Sequence, residues 1–210
     1  MQTLKIEDIE SELGKTIRTN AVSLGIDIAE SITGICFLRT DKENIYIDGL
    51  KTIETNKKDD PFHRADNLVS SLEKLKQDID KYKEYKILII EDCFFGQNIN
   101  VLKHLARFGI LVYRELKKNV DVYYFFFPIQ ARTMIGFNQK TQEKIGNVKA
   151  EVYTRDTKDK QGKIKHKKGD KKKVSCKDLI DDYLKTKFNV DIKEENERDA
   201  FVLALGGLLK

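Results

Sequence analysis

The spacing of hydrophobic positions changes several times along the chain, and each change marks an element. Ile6, Ile9 and Leu13 recur at helical spacing over residues 5–13, which predicts a short amphipathic helix ahead of the core. Three runs of strand character follow: Val22 to Ile28, Gly34 to Arg39, and Ile45 to Ile53. In the last, Ile45 and Ile47 alternate with their neighbours as a half-buried strand requires. Gly34 and the polar stretch Asp41 to Asn44 mark turns, so the three runs predict a meander. From Phe62 the period becomes helical. Phe62, Ala65, Leu68, Val69, Leu72, Leu75 and Ile79 fall on one face, behind Pro61, whose fixed φ suits a first helical turn. Ile87 to Glu91 then reads as a short apolar strand, and about Asn98 to Lys118 as a helix with Leu102, Leu105 and Phe108 inward. Val122 to Phe127 reads as a buried strand that Pro128 ends. Two helices close the chain. One begins at Ser175, whose Ser-x-x-Asp pattern to Asp178 is that of a capping box; the other, about Asn196 to Leu209, buries Phe201, Val202, Leu205 and Leu208.

The order β-β-β-α-β-α-β-α-α predicts an α/β fold, a mixed five-stranded sheet flanked by helices. Residues 1–20 form an accessory helical element and 21–210 one domain. Within that domain, 138–173 has no clear period beyond a weakly β-like stretch, Asn147 to Thr154, and an irregular insert of this length is functional or disordered. The 210 residues, 40% hydrophobic and 35% charged, suit one soluble globular domain. The sequence holds no apolar run of about 18 residues, and its charged N-terminal stretch is unlike a cleavable signal. The expected location is therefore cytoplasmic, in a bacterial cell or in host cytoplasm if the source is viral, with no membrane partner. Cys36, Cys93 and Cys176 stand far apart, which argues against a disulfide framework or a zinc site.

Charge changes this picture by its location. Of a net +5, residues 158–173 carry nine lysines against Asp159 and Asp170, a local +7, which leaves −2 for everything else. A run so concentrated has the footprint of a polyanion contact, although a lysine run taken alone is more commonly a solvated loop.

Three acids stand out against the basic segment. Asp27 lies inside Leu24-Gly25-Ile26-Asp27-Ile28, and Glu91 closes Ile87-Leu88-Ile89-Ile90. A carboxylate in such surroundings costs several kcal/mol unless a cation or a donor meets it. Glu91 also falls at the C-terminal end of its strand, where open α/β sheets assemble their sites. Asp199 lies near the start of the last helix. Singly, each has an ordinary explanation: a satisfied polar residue at a strand kink, an acid at a strand end, and a helix-surface acid favoured by the dipole. Jointly they predict a metal-bound hydrolytic site, and oxygen-only donors suit Mg²⁺. His63 and His104 read as surface or boundary residues, and His166 sits in the lysine run.

The strings GIDIAESITG (25–34), IIEDCFFGQN (89–98), PIQARTMIG (128–136) and ERDAFVLAL (197–205) occur in the order found in RuvC-like resolvases, nucleases of the RNase H-like fold. The resemblance covers roughly Val22 to Leu209. It implies an endonuclease dependent on Mg²⁺, with Mn²⁺ substituting, that resolves Holliday junctions by two-metal-ion phosphodiester hydrolysis. It carries Asp27, Glu91 and Asp199 over as catalytic metal ligands. Asn196 stands where the family has an acid or a histidine. It can offer a neutral carbonyl oxygen to a hard cation but adds no charge, and Glu195, on the same helix face as Asp199, can take its place.

The resemblance also implies DNA contacts. Phe94 stands near an aromatic that stacks on or wedges into junction bases, with Phe95 beside it; stacking supplies about 1–3 kcal/mol per base. Arg132 and Lys171 lie near positions that contact phosphates, and Lys172 and Lys173 extend that patch; such contacts position DNA without reading its sequence. Paired symmetric nicks across a four-way junction imply a homodimer, with Leu105, Phe108 and Leu111 on the helix from Asn98 to Lys118 as its expected interface. Other readings are a nuclease of the same fold acting on other branched DNA, and a non-catalytic junction-binding protein in which Asn196 marks a decayed site. An actin or sugar-kinase type ATPase shares a first hairpin resembling GIDIAESITG, but needs a second domain and phosphate loop for which 210 residues leave no room.

Overall fold

The computed structural model describes residues 2–29, 31–56, 58–92, 99–139, 152–158, 164–171 and 176–209. The chain divides into two compact units, residues 1–136 with 192–210, and residues 137–191. The first begins with β1 (Thr3–Lys5), α1 (Ile6–Leu13), β2 (Ala21–Asp27), β3 (Ile32–Thr40) and β4 (Asn44–Glu54). It continues through α2 (Pro61–Asp80), β5 (Tyr85–Glu91), α3 (Ile99–Leu116), β6 (Val122–Phe126) and α4 (Pro128–Met134). The second unit supplies β7 (Val152–Lys158), β8 (Ile164–Lys171) and α5 (Cys176–Phe188), and the chain then returns to the first unit in α6 (Glu195–Leu208).

The sheet of the first unit is mixed, as expected, with strand order β1-β4-β3-β2-β5-β6. It has six strands where the hydrophobic pattern predicts five. The addition is β1, which pairs antiparallel with β4 and sets Leu4 opposite Ile45. Three residues are too few to show an alternation. The N-terminal segment is thereby tied into the sheet edge, with Leu4, Ile6 and Ile9 buried. The meander β2-β3-β4 is antiparallel, whereas β5 joins β2, and β6 joins β5, in parallel.

Side chains on successive strand residues point to opposite faces, and the two faces of β2 differ. Val22, Leu24, Ile26 and Ile28 join Ile35, Phe37, Leu88 and Ile90 in a core closed by Leu68, Leu72, Leu75 and Ile79 of α2 and by Phe108, Val112 and Leu116 of α3. Helix α2 starts as its sequence predicts. Pro61 occupies the first turn, and the Asp60 carboxylate accepts from the N–H groups of Phe62 and His63 at 2.9 and 3.1 Å. Phe62, expected on the inner face, is 80% exposed, because it lies in the first turn, before the stripe from Leu68 meets the sheet. Helix α3 faces the same core. Phe108 is buried, and the partly buried Leu105 and Leu111 pack against the same core, so the three residues expected at a dimer interface all contribute to the domain's own interior.

Helix α4 was not legible as a helix: it is seven residues long, and Pro128 reads first as a strand terminator. Its start follows known rules all the same, with Pro in the first turn and the Gln130 side chain accepting from the Phe127 N–H at 2.9 Å.

In the second unit, part of the segment expected to be irregular forms an antiparallel hairpin, with Val152 opposite Lys171 and Lys158 opposite Ile164. Lysine is depleted in strands, which hides such a hairpin from a reading of periodicity. Helix α5 brings Tyr183 edge-on to Phe137 and Phe188, with ring centroids 5.5 and 5.6 Å apart. Among the described residues no helix is long and apolar enough to cross a membrane.

Candidate active site

Two parallel strands deliver the first two acids. Ile26 pairs with Ile90 in the β2–β5 register, so the next residues, Asp27 and Glu91, end their strands side by side on one sheet face. That face is opposite to the α2–α3 core. It is also the point at which β2 has an antiparallel partner on one side and a parallel one on the other, the kind of switch point where open sheets bind ligands.

Helix α6 brings the remaining acids by lying unusually close to the sheet. A Cβ on Gly25 would collide with the backbone carbonyl of Ala200, and one on Gly34 with the backbone carbonyl of Asn196. Gly34 is the direct β3 partner of Asp27, so the first turns of α6 sit over the end of β2. A glycine inside an otherwise apolar strand is the sequence signal for such close approach. In the sequence, Gly25 reads only as a motif letter and Gly34 as a motif letter and a turn marker.

The electrostatics report a crowded site. Asp27 is only 7% exposed. Its carboxyl is held well above the ordinary range, first by burial, then by its hydrogen bond to Glu91, and then by the charges of Glu91, Asp199 and Glu195. Glu91 is also raised, mainly by burial and further by Asp199, while the hydrogen bond from Asp27 and the charge of Arg132 oppose the shift. Of the pair, Asp27 is the one raised by their shared hydrogen bond and Glu91 the one lowered by it, so Asp27 is the donor and Glu91 the acceptor, the usual solution when two like charges meet in a poorly solvated place. Asp199 has a different partner: Arg132 Nη2 donates to its Oδ1 at 3.3 Å, with the two side chains 21% and 17% exposed.

The structure thus brings Asp27, Glu91 and Asp199 together, with Glu195 inside their electrostatic reach. Asn196 lies with its backbone against Gly34. Glu197 is directed elsewhere, its charge acting on the buried Cys36 thiol. Arg132, expected at a phosphate, is in the acid cluster. Lys171 ends β8 in the second unit. Phe94, Phe95, Lys172, Lys173 and Ser175 lie outside the described residues.

Among the described residues no three acidic, histidine or cysteine side chains form a ready-made metal cage; Asp27 and Glu91 share a hydrogen bond, and Asp199 is paired with Arg132. The donor set nevertheless fits a hard divalent cation. It is all oxygen, and the burial and like-charge crowding that raise Asp27 and Glu91 are what a bound cation would relieve.

No protein-family model and no curated protein sequence matches the chain. Solved structures do. Thermus thermophilus RuvC in complex with a Holliday junction substrate superimposes with a TM-score of 0.57 at 11% identity, over 89% of this chain and 91% of that one. Thermus thermophilus RuvC in a separate structure gives 0.56 at 12% identity, over 88% and 92%. At such identities the likeness is one of fold, and the RNase H-like architecture implied by the four motifs is the architecture found.

Proposed function

We propose that the chain is a metal-dependent endonuclease that resolves four-way DNA junctions. The observation that carries this reading is the pairing of Asp27 with Glu91 at the ends of adjacent parallel strands, with Asp199 delivered to the same place by α6. A pair that retains a proton against its ordinary chemistry is poised to exchange that proton for a cation.

Asp27, Glu91 and Asp199 would hold Mg²⁺, or Mn²⁺ in its place, with Glu195 or Asn196 completing the set. When bound, the ion supplies Lewis-acid activation of water and charge neutralisation at the leaving oxygen. The protein's own residues supply position. The β2–β5 register aligns two acids, the glycine cradle sets the depth of the third, and burial strengthens every charge interaction in the site. The basic hairpin of the second unit supports a polyanionic substrate, and the fold shared with RuvC supports a junction among such substrates. Symmetric nicking requires a second copy.

The reading is tested by offering a four-way junction, a flap and a linear duplex to the protein with Mg²⁺, with Mn²⁺ and with chelator. Paired nicks in the junction that vanish in chelator are expected. Junction binding without nicking in either metal would leave a non-catalytic binding protein.

A further inference from the structure

Arg132 pairs with Asp199 inside the acid cluster, although an arginine serving only to grip DNA would face solvent. We propose, on the cation-binding reading above, that Arg132 is a positioning residue with two stations. Its guanidinium neutralises Asp199 while the site is metal-free and turns to a phosphate oxygen of the DNA once a divalent cation takes the carboxylate.

Four observations carry the proposal. The backbone beneath Arg132 is anchored: α4 opens on Pro128, Ala131 is 1% exposed, and a Cβ on Gly206 of α6 would lie 3.8 Å from the Ala131 Cα. Any rearrangement is therefore confined to the side chain. The contact from Nη2 to Oδ1, at 3.3 Å, is longer than the roughly 2.7–2.9 Å of a strong charge-assisted bond. Both side chains keep about a fifth of their surface in solvent, so an incoming ion and a phosphate can each reach the pair. The charge of Arg132 also acts on Glu91, so the guanidinium acts on two of the acids and not on Asp199 alone.

A guanidinium cannot shed its charge. A dication arriving at Asp199 therefore repels it, and the nearest compensation is an anion of the substrate, which a planar fork of donors suits. Metal and DNA should accordingly help each other to bind, and such coupling is reciprocal.

The experiment uses the full chain with Arg132→Gln and Arg132→Lys. Mn²⁺ alone is titrated by calorimetry, and nicking of a four-way junction is then resolved into kcat and KM. Arg132→Gln removes the competing charge and should bind Mn²⁺ at least about tenfold more tightly, because a guanidinium within a few ångströms of a dication opposes its binding even at an effective dielectric near 20. Its KM for the junction should rise several-fold. Arg132→Lys, a mobile cation, should return both values toward the parent. Mn²⁺ affinity in Arg132→Gln equal to or weaker than that of the parent would overturn the proposal, as would failure of the lysine variant to restore KM. If the parent itself takes up no Mn²⁺, the cation reading fails and the proposal falls with it.

Discussion

The two faces of the central sheet are built to opposite specifications. Toward α2 and α3, large apolar side chains from β2, β3 and β5 fill a core that the two helices close. Toward α6, Gly25 and Gly34 bring helix backbone onto strand backbone, and the strand ends beside them carry carboxylates. The first face sets how stable the domain is. The second sets how closely Asp27, Glu91 and Asp199 converge, and it does so at a cost in charge repulsion that the metal-free protein answers with a proton and an arginine. The comparison teaches that one strand, β2, can carry the core and the chemistry on alternate residues.

The sharpest break of this comparison is Asp27→Asn. It should abolish nicking, a loss of about 10³-fold or more for a group acting on a metal-held substrate, while raising the melting temperature of metal-free protein at neutral pH. Unchanged cleavage would remove Asp27 from the site. Next comes a pair of substitutions, one on each face. Leu72→Ala on the core face should cost about 2–5 kcal/mol in denaturant unfolding and leave Mn²⁺ affinity as it was. Gly34→Ala on the site face should cost about 1–3 kcal/mol by overpacking and weaken Mn²⁺ binding as well. If both variants lose stability alone, the faces are not separate in function.

A smaller effect is expected from pH. The folded-state proton affinities of Asp27 and Glu91 lie above their ordinary values of 3.8 and 4.5, so the folded protein binds these protons more tightly than the unfolded chain does. Their contribution to stability is fully present below the unfolded values and is lost as pH rises through the raised folded ones. Metal-free protein should therefore lose stability over that interval, Asp27→Asn should flatten the loss, and Mn²⁺ affinity should rise with pH. A parent and variant with parallel pH profiles would contradict the shared proton. The smallest change concerns the open fourth position. Asn196→Asp adds a carboxylate over Gly34 and should tighten Mn²⁺ binding a few-fold, whereas Glu195→Gln should loosen it; no response to Glu195→Gln would leave Asn196 to complete the site.

Much of this arrangement was legible in the sequence, for physical reasons. Strands β2 and β5 announce themselves because a charge at the end of an apolar run is anomalous, and α6 because Phe201, Val202, Leu205 and Leu208 recur at helical spacing. Gly25 and Gly34 were visible as letters, but their meaning depends on a helix about 170 residues away arriving at backbone contact. Three features were hidden. Strand β1 is too short to show a period. The β7–β8 hairpin is built from residues that disfavour strands. The packing role of Leu105, Phe108 and Leu111 was hidden because apolar residues at helical spacing mark a buried stripe as readily as an interface.

The central claim is that these acids hold a divalent cation, and crystals of the protein grown with Mn²⁺ test it most directly through anomalous scattering. The account predicts a peak bounded by the carboxyl oxygens of Asp27, Glu91 and Asp199, absent in Asp27→Asn. A peak elsewhere, or three carboxylates that stay on their proton and their arginine at saturating Mn²⁺, would contradict it.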